Sequence, residues 1–210
     1  MSDAAATIAI VDDDPSVLKG LSRLLRSAGW EAVTYDSPQA FLARHDLSTP
    51  GCLILDVSMP GLNGLEVQRQ LADADCPLPV VFLTGHGDIP TSVQAMRAGA
   101  VNFLTKPVND DDLLAAVREA VEKDRLARIT QADVAVVTQR LRTLTPRERE
   151  VFEHVVTGQL NKRIASDLGI VEKTIKVHRS HVMEKMGARS LAELARMAER
   201  LGIAKGGDSR

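Results

Sequence analysis

The segment most informative about the architecture is Leu53-Ile-Leu-Asp-Val-Ser-Met-Pro-Gly61, together with the cysteine before it. Four apolar residues, 52–55, lead into Asp56 and then into a Met-Pro-Gly turn. A short apolar run bounded by turn residues is typical of a buried strand. Asp56 therefore stands at the carboxyl end of a buried strand, where open α/β sheets form their active crevice. Such a carboxylate is partly desolvated and needs a cation or hydrogen-bond donors. Taken alone, the stretch is equally compatible with Asp56 as a capping residue of the turn.

The composition indicates a soluble globular protein with room for two modest domains. Of the 210 residues, 44% are hydrophobic and 26% are charged, which is ordinary for this class. No apolar run is long enough to cross a bilayer, and residues 1–7 lack the layout of a signal peptide. We therefore expect a cytoplasmic protein with no membrane partner. Cys52 and Cys76 form neither a disulfide framework nor a metal motif and are expected to be reduced packing residues.

Charge is distributed unevenly along the chain. Residues 1–123 hold 17 Asp/Glu against 9 Lys/Arg, a net charge of −8. Residues 124–210 hold 11 Asp/Glu against 17 Lys/Arg, a net charge of +6. An acidic half joined to a basic half suggests that only the second half meets a polyanion. The asymmetry alone does not establish this, since a charge bias at the surface also arises by chance.

Strands and helices alternate through the first half of the chain. The strands are predicted at 7–11, 31–35, 52–56, 78–84 and 101–104, and the helices at 15–28, 38–44, 64–71, 89–98 and 110–121. This alternation predicts an α/β fold with a parallel sheet covered on both faces. A Gly-rich nucleotide loop is absent after the first strand, which counts against a dinucleotide-binding fold.

Side chains suited to phosphate or metal chemistry recur at the ends of the predicted strands. Asp12 and Asp13 follow the first strand, and two adjacent carboxylates repel each other unless a cation lies between them. A Mg²⁺ ion that keeps several waters is the natural solution. Thr84 ends the fourth strand and Lys106 follows the fifth, although each alone would pass as an ordinary turn or loop residue. Because parallel strands end at the same edge of a sheet, we expect these side chains to meet Asp56 there.

This set of residues resembles the receiver domain of two-component response regulators, over about residues 5–123. The resemblance implies a flavodoxin-like fold with five parallel strands in the order 2-1-3-4-5. It also implies that Asp56 accepts a phosphoryl group from a sensor histidine kinase. Mg²⁺ would be bound by Asp13, Asp56 and the backbone carbonyl of Ser58, and Asp12 would assist through a water molecule.

The same resemblance assigns a switch to the fourth and fifth strands. Lys106 would pair with the phosphoryl oxygens, and the Thr84 hydroxyl would turn inward to meet them. Phe103 occupies the position of the aromatic residue that rotates as this threonine moves, although plain core packing also explains a phenylalanine there. His86 is interpreted as an exposed loop residue rather than a catalytic one. The stretch from Thr84 to Pro90 resembles the FixJ branch of the family.

Residues 124–142 are predicted to form a helical linker between a receiver domain at 1–123 and a second domain at 143–210. Apolar residues recur from Leu126 to Leu144 at spacings of three to five, with no Gly or Pro in between. This pattern favours a helix over a flexible tether. A dimerising coiled coil is the alternative, but about three clean heptads would be needed to predict it. We favour a linker helix that packs on a domain face.

The second half predicts an all-α domain of four helices. Thr145 is placed as the N-cap of the first helix with a capping box, Asn161 as the cap of the second, and Ser190 as the cap of the fourth. The third helix is predicted from about Val171 to residue 186. Gly169 separates the second helix from the third by a short turn, and two helices joined in this way describe a helix-turn-helix.

The outer face of the third helix is basic, which a plain four-helix bundle does not explain. Basic side chains on a helix that fits the major groove suit phosphates and base edges. The stretches 145–150, 161–165 and 173–178 resemble the LuxR/NarL-type DNA-binding domain. The resemblance implies that Lys176 and Val177 face bases. The remaining predicted DNA contacts, as phosphate anchors, are Lys173, Thr174, His178 and Arg179.

Together the two resemblances predict a transcriptional regulator that is switched by phosphorylation, and not an enzyme. Phosphorylation of Asp56 is expected to produce a homodimer through the fourth helix, fifth strand and fifth helix. The homodimer would bind double-stranded promoter DNA, with RNA polymerase as a further candidate partner. Two alternatives are compatible with the same sequence. One is a DNA-binding protein that uses the first domain only as a scaffold, and the other is a phosphotransferase with a substrate pocket.

Overall fold

The computed structural model describes residues 6–74, 76–85 and 89–203. The chain divides into two compact units, Met1–Arg128 and Ile129–Arg210. Within the described ranges, none of the helices is both long enough and apolar enough to cross a membrane. The domain limits expected from the sequence, with a linker at 124–142, stay a prediction.

The described residues of the first unit form a parallel sheet of five strands with helices on both faces. Its strands are β1 Thr7–Val11, β2 Glu31–Tyr35, β3 Gly51–Asp56, β4 Val80–Thr84 and β5 Asn102–Thr105. Its helices are α1 Pro15–Ser27, α2 Pro38–Arg44, α3 Gly64–Asp73, α4 Ile89–Arg97 and α5 Asp110–Arg142, the last of which continues into the second unit. The strand order β2-β1-β3-β4-β5 confirms the predicted topology. β4 begins two residues later than predicted, because Pro79 has no backbone N–H to donate to a neighbouring strand.

Two hydrophobic layers cover the two faces of this sheet. Ile8 and Ile10 belong to the layer that α1 and α5 cover, whereas Ala9 and Val11 belong to the layer on the opposite face. The alternation follows from the two-residue period of a strand. β3 is the middle strand of the sheet, so the strand that ends in Asp56 is buried along its whole length.

Helix α5 does not end at residue 121 as predicted but continues to Arg142. No Gly or Pro interrupts this segment, and two side chains bond it to the first unit. The buried Asp124 accepts hydrogen bonds from the backbone N–H of Gly51, at 3.0 Å, and from Arg128 Nε, at 2.7 Å. Arg128 also donates to the backbone carbonyl of Ser48 at 2.6 Å. These contacts hold α5 against the loop that leads into β3.

In the described part of the second unit, four further helices surround a separate core. They are α6 Pro146–Val156, α7 Asn161–Asp167, α8 Glu172–Met186 and α9 Leu191–Arg200. The capping box at Thr145 and the cap at Ser190 are confirmed. The assignment of Asn161 as the cap of α7 is wrong: Leu160 is the N-cap and makes no side-chain hydrogen bond. The Asn161 side chain instead accepts a hydrogen bond from Arg179 of α8.

Candidate functional site

A lysine bridges two buried carboxylates at the carboxyl edge of the sheet. Asp12 follows β1, Asp56 ends β3 and Lys106 follows β5. Lys106 Nζ lies 2.6 Å from Asp12 Oδ2 and 3.0 Å from Asp56 Oδ2. Asp12 is 1% exposed and Asp56 is 5% exposed, so their charges need a nearby cation. Three residues that are distant in sequence therefore form one site, as the strand-end argument predicts.

Three carboxylates at this edge form a group that could hold a metal ion. Asp12, Asp13 and Asp56 each offer an oxygen atom, and these atoms lie within 4.8 Å of one another. Asp13 is exposed, which leaves room for water ligands. The third member of the Asp run, Asp14, has a different role, because its side chain caps α1 through the N–H of Ser16. Carboxylates with access to water are the ligand set that Mg²⁺ prefers.

The backbone around Asp56 also shapes this group. The N–H of Ser58 donates to Asp56 Oδ1 at 3.3 Å, which orients the carboxylate. Gly64, at the start of α3, lies against the same turn. A Cβ on Gly64 would stand 2.4 Å from the carbonyl oxygen of Asp56. The sequence interpretation missed Gly64 as a positioning residue, although a glycine directly after the helix cap Asn63 was a signal of close backbone approach.

Burial and charge act in opposite directions on the ionisable groups of the site. Burial raises the pKa of Asp12 above its ordinary value, although hydrogen bonds from Lys106 and from the N–H of Asp14 oppose the shift. For Lys106, burial opposes the charged ammonium form, but the hydrogen bonds to Asp12 and Asp56 outweigh it, and its pKa is raised. The ammonium group is thus held in its charged form beside Asp56.

The two predicted switch residues lie on neighbouring strands. Thr84 is fully buried at the end of β4, and its carbonyl accepts a hydrogen bond from the N–H of Lys106 at 2.7 Å. Phe103 on β5 is half-buried, and its ring centroid lies 6.1 Å from that of Phe82. This position is compatible with both core packing and a rotating side chain. His86 lies outside the described residues.

The six predicted DNA contacts on α8 divide into two groups. Lys173, Lys176 and Val177 are exposed, and Lys176 forms an ion pair with Glu172 at 3.6 Å. The other three are partly buried against the unit: Thr174, His178 and Arg179. Helical spacing explains the division, because these three flank the side of α8 that buries Ile175.

Two of the partly buried residues have contacts that the sequence did not predict. Arg179 Nη1 donates to Asn161 Oδ1 at 2.9 Å, which links α8 to the first turn of α7. His178 Nδ1 is buried and has no hydrogen-bond partner within residues 6–74, 76–85 and 89–203. The same first turn of α7 exposes Lys162 and Arg163, which the sequence interpretation left out of the DNA-binding set. Their position directly after Asn161 at a helix start was the available signal.

The comparisons with known proteins agree with both halves of this description. Residues 8–118 match the response regulator receiver domain, and residues 142–198 match the bacterial regulatory proteins of the luxR family. Nodulation protein W of Bradyrhizobium diazoefficiens is 48% identical over 198 residues, which cover 94% of this chain and 87% of that protein. The transcriptional regulatory protein FixJ of the same species is 41% identical over 196 residues, or 93% of this chain and 96% of that protein.

A solved structure is similar over nearly the whole chain. The response regulator StyR has a TM-score of 0.82 and 43% sequence identity, and the match covers 94% of this chain and 100% of that one. The family resemblances predicted from the sequence are thereby confirmed. The chain belongs to the two-component response regulators that join a receiver domain to a LuxR-type DNA-binding domain, a family of transcriptional regulators switched by phosphorylation and not of enzymes.

Proposed function

We propose that Asp56 is the residue that accepts the phosphoryl group, and that a sensor histidine kinase donates it. The observation that carries the proposal is the Lys106 bridge between Asp12 and Asp56, at 2.6 and 3.0 Å. This bridge places a fixed positive charge beside the attacking carboxylate. Because phosphoryl transfer to a carboxylate requires positioning and charge neutralisation, and the ionised nucleophile has no proton for a base to remove, such an arrangement suffices.

In the proposed step, an oxygen of Asp56 attacks the phosphorus of a phosphohistidine. The bond from phosphorus to the histidine nitrogen breaks as the new bond to oxygen forms, and the electron pair returns to the imidazole. The imidazole leaves as a neutral ring when its second nitrogen carries a proton. Lys106 then pairs with an oxygen of the phosphoryl group. When bound, Mg²⁺ neutralises further charge on the transferred group, and Asp13, Asp56 and the Ser58 carbonyl would hold it, with Asp12 assisting through water.

The proposed response to phosphorylation begins at Thr84. The Thr84 carbonyl accepts a hydrogen bond from the backbone N–H of Lys106. Thr84 is therefore linked directly to Lys106, the residue that pairs with the phosphoryl group. We infer that the Thr84 hydroxyl turns toward the phosphoryl oxygens and that Phe103 moves inward on β5. The half-buried position of Phe103 is compatible with this movement.

We further infer that the phosphorylated chain forms a homodimer through α4, β5 and α5. An apolar row on α4 supports this surface: Ile89, Val93 and Met96 follow at spacings of four and three and are 79%, 42% and 47% exposed. Residues at this spacing share one helix face, and an exposed apolar row is typical of an interaction surface. A two-fold dimer would bind half-sites about one helical turn of DNA apart.

The proposed DNA-binding surface is the exposed face of α8 together with the first turn of α7. Lys176 and Val177 would reach base edges, and Lys173 would contact phosphate. Thr174, His178 and Arg179 remain candidates for phosphate contact at the edge of this face. Lys162 and Arg163 add positive charge at the start of α7. RNA polymerase is proposed as a partner of the dimer on DNA.

Phosphorylation at Asp56 is tested with a small phosphodonor and intact-mass measurement. Wild type with Mg²⁺ should gain the mass of one phosphoryl group, and Asp56→Asn should not. Asp73→Asn is the matched control, because Asp73 is an exposed aspartate on α3 and its loss should leave the modification intact. Equal modification of wild type and Asp56→Asn would contradict the assignment.

Dimerisation is tested by the solution mass with and without Mg²⁺ and beryllofluoride, which imitates the phosphoryl group. We expect a monomer that becomes a dimer in the wild type and stays a monomer in Asp56→Asn. Val93→Asp, which places a charge in the apolar row, should block the dimer and leave phosphorylation intact. A mass that is indifferent to beryllofluoride would remove dimerisation from the proposal while leaving Asp56 as the acceptor.

A further inference from the structure

The last turns of α5 belong to the core of the second unit. Val137 and Leu141 are 4% and 7% exposed, and they lie in the same hydrophobic cluster as Met186 of α8 and Ala198 of α9. On the sequence, both were part of a segment expected to connect two domains. Their burial means that this segment packs against the helices of the second unit. Polar residues of the segment can therefore contact those helices as well.

Arg140 of this segment contacts the end of α8. Its Nη1 atom donates a hydrogen bond to the backbone carbonyl of Met186 at 2.9 Å. The carbonyls in the last turn of a helix have no partner within the helix. A cation at that end also interacts favourably with the negative end of the helix dipole. Arg140 therefore supplies both a donor and a positive charge where α8 needs them.

The fit between Arg140 and the turn after α8 is close. α8 ends at Met186, and its C-cap Gly187 has φ of 66° and so adopts the left-handed conformation. A Cβ on Gly187 would stand 2.8 Å from Nη1 and 3.1 Å from Cζ of Arg140. The guanidinium group thus occupies the space that any larger residue at position 187 would need. Glycine meets two demands here, the backbone conformation and the approach of Arg140.

Polar contacts from α6 and α7 also hold α8. Arg179 Nη1 reaches Asn161 of α7 at 2.9 Å, and Lys185 Nζ reaches the buried Glu148 of α6 at 2.6 Å. Arg140 adds a contact from α5 at the C-terminal end. The three contacts come from three different helices and lie at different positions along α8.

We propose that Arg140 is a positioning residue for DNA recognition, which fixes the C-terminal end of α8 and through it the angle of the exposed face. It does not contact DNA itself. The inference rests on the proposed function of α8 as the helix that reads DNA. It extends the functional DNA-binding unit beyond the LuxR-type motif into a segment that the sequence assigns to a linker.

The test compares Arg140→Ala with Arg142→Ala in the full chain. Arg142 is exposed, two residues away and of the same charge, so its loss controls for charge. The probes are a duplex that the wild-type chain selects from a random-sequence pool and an unrelated duplex of equal length. Arg140→Ala should bind the selected duplex about tenfold more weakly, the effect of one charge-assisted hydrogen bond. Binding to the unrelated duplex and the salt dependence of binding should stay as in Arg142→Ala.

Two results would overturn the proposal. One is equal binding of the selected duplex by the Arg140→Ala and Arg142→Ala variants. The other is a salt slope that falls by about one in Arg140→Ala alone, since that change marks a lost phosphate contact. If Arg140→Ala does not fold, Arg140→Lys replaces it, because lysine keeps the charge without the planar guanidinium group. A partial loss of affinity for the selected duplex in Arg140→Lys supports the proposal. Wild-type preference for the selected duplex in that variant refutes it. Lys176→Ala tests the proposed DNA-binding surface of α8 separately. Wild-type affinity for DNA in that variant would refute the assignment of this surface and leave the role of Arg140 to be judged from its own variants.

Discussion

The buried carboxylate of Asp124 gives the sharpest prediction for stability. Asp124 Oδ2 accepts hydrogen bonds from the Gly51 N–H at 3.0 Å and from Arg128 Nε at 2.7 Å. Its other oxygen, Oδ1, is buried and has no hydrogen-bond partner in the described part of the chain. In Asp124→Asn, the amide oxygen can keep both hydrogen bonds only if the amide NH₂ takes the place of Oδ1. The change therefore removes a charge and buries a donor without an acceptor.

The expected loss follows from these contacts. Removing one partner of a fully buried ion pair costs about 3–5 kcal/mol. The Arg128 side chain is 24% exposed and keeps the carbonyls of Ser48 and Thr49 as partners, so part of that cost is avoided. We expect Asp124→Asn to lower the free energy of unfolding by about 2 kcal/mol.

Glu122→Gln is the matched control, because it also neutralises a carboxylate paired with an arginine on α5. Its partner Arg125 lies at 2.7 Å, but both side chains are more than half exposed. An exposed pair of this kind contributes about 0–1 kcal/mol. The two variants thus differ chiefly in burial and in the bond to Gly51.

Urea denaturation followed by tryptophan fluorescence measures the difference. The chain has one tryptophan, and Trp30 packs against the core of the first unit, so its signal reports unfolding of that unit. With a slope of about 1–3 kcal/mol per molar urea, Asp124→Asn should lower the midpoint by about 1 M. A midpoint no lower than that of Glu122→Gln would refute the reasoning that the buried Asp124 stabilises the first unit.

Three further predictions concern other parts of the chain. Hydrogen bonds from the Lys185 side chain and from the backbone N–H of Thr145 lower the pKa of Glu148 to about 2. Because this lies below its ordinary value of 4.5, the stabilisation is present above about pH 4.5 and is lost toward pH 2. Glu148→Gln should thus be less stable at neutral pH and lose less on acidification, as thermal unfolding at several pH values would detect. Val171 is an exposed N-cap without a side-chain hydrogen bond, so Val171→Ser should raise the free energy of unfolding by about 1 kcal/mol, and a lower melting temperature would contradict this. A Cβ at Gly51 would stand 1.8 Å from the carbonyl oxygen of Thr7, so Gly51→Ala should lower the free energy of unfolding by about 3 kcal/mol or more. Gly20 has open space around it, so Gly20→Ala should instead stabilise α1 by about 1 kcal/mol. Urea denaturation compares the two variants.

The sequence alone determined the architecture of the first unit and the composition of its site. Alternating apolar runs and turn residues specify a parallel sheet, and strand ends in such a sheet share one edge. Asp12, Asp56 and Lys106 could therefore be brought together from their positions relative to predicted strands. The capping box at Thr145, the cap at Ser190 and the glycine turn of the second unit were equally readable, because each depends on residues within a few positions of one another.

Tertiary structure alone decided which polar residues hold the helices in place. Asp124 and Gly51 are 73 positions apart, and Arg140 and Met186 are 46 apart. No local pattern marks such a pair, because each residue by itself suits an exposed helix or an ordinary turn. For the same reason Asn161 was assigned as a cap, when its true partner is Arg179 of the next helix. Local periodicity predicts elements and the edge where strands end, but a long-range hydrogen bond depends on how those elements pack.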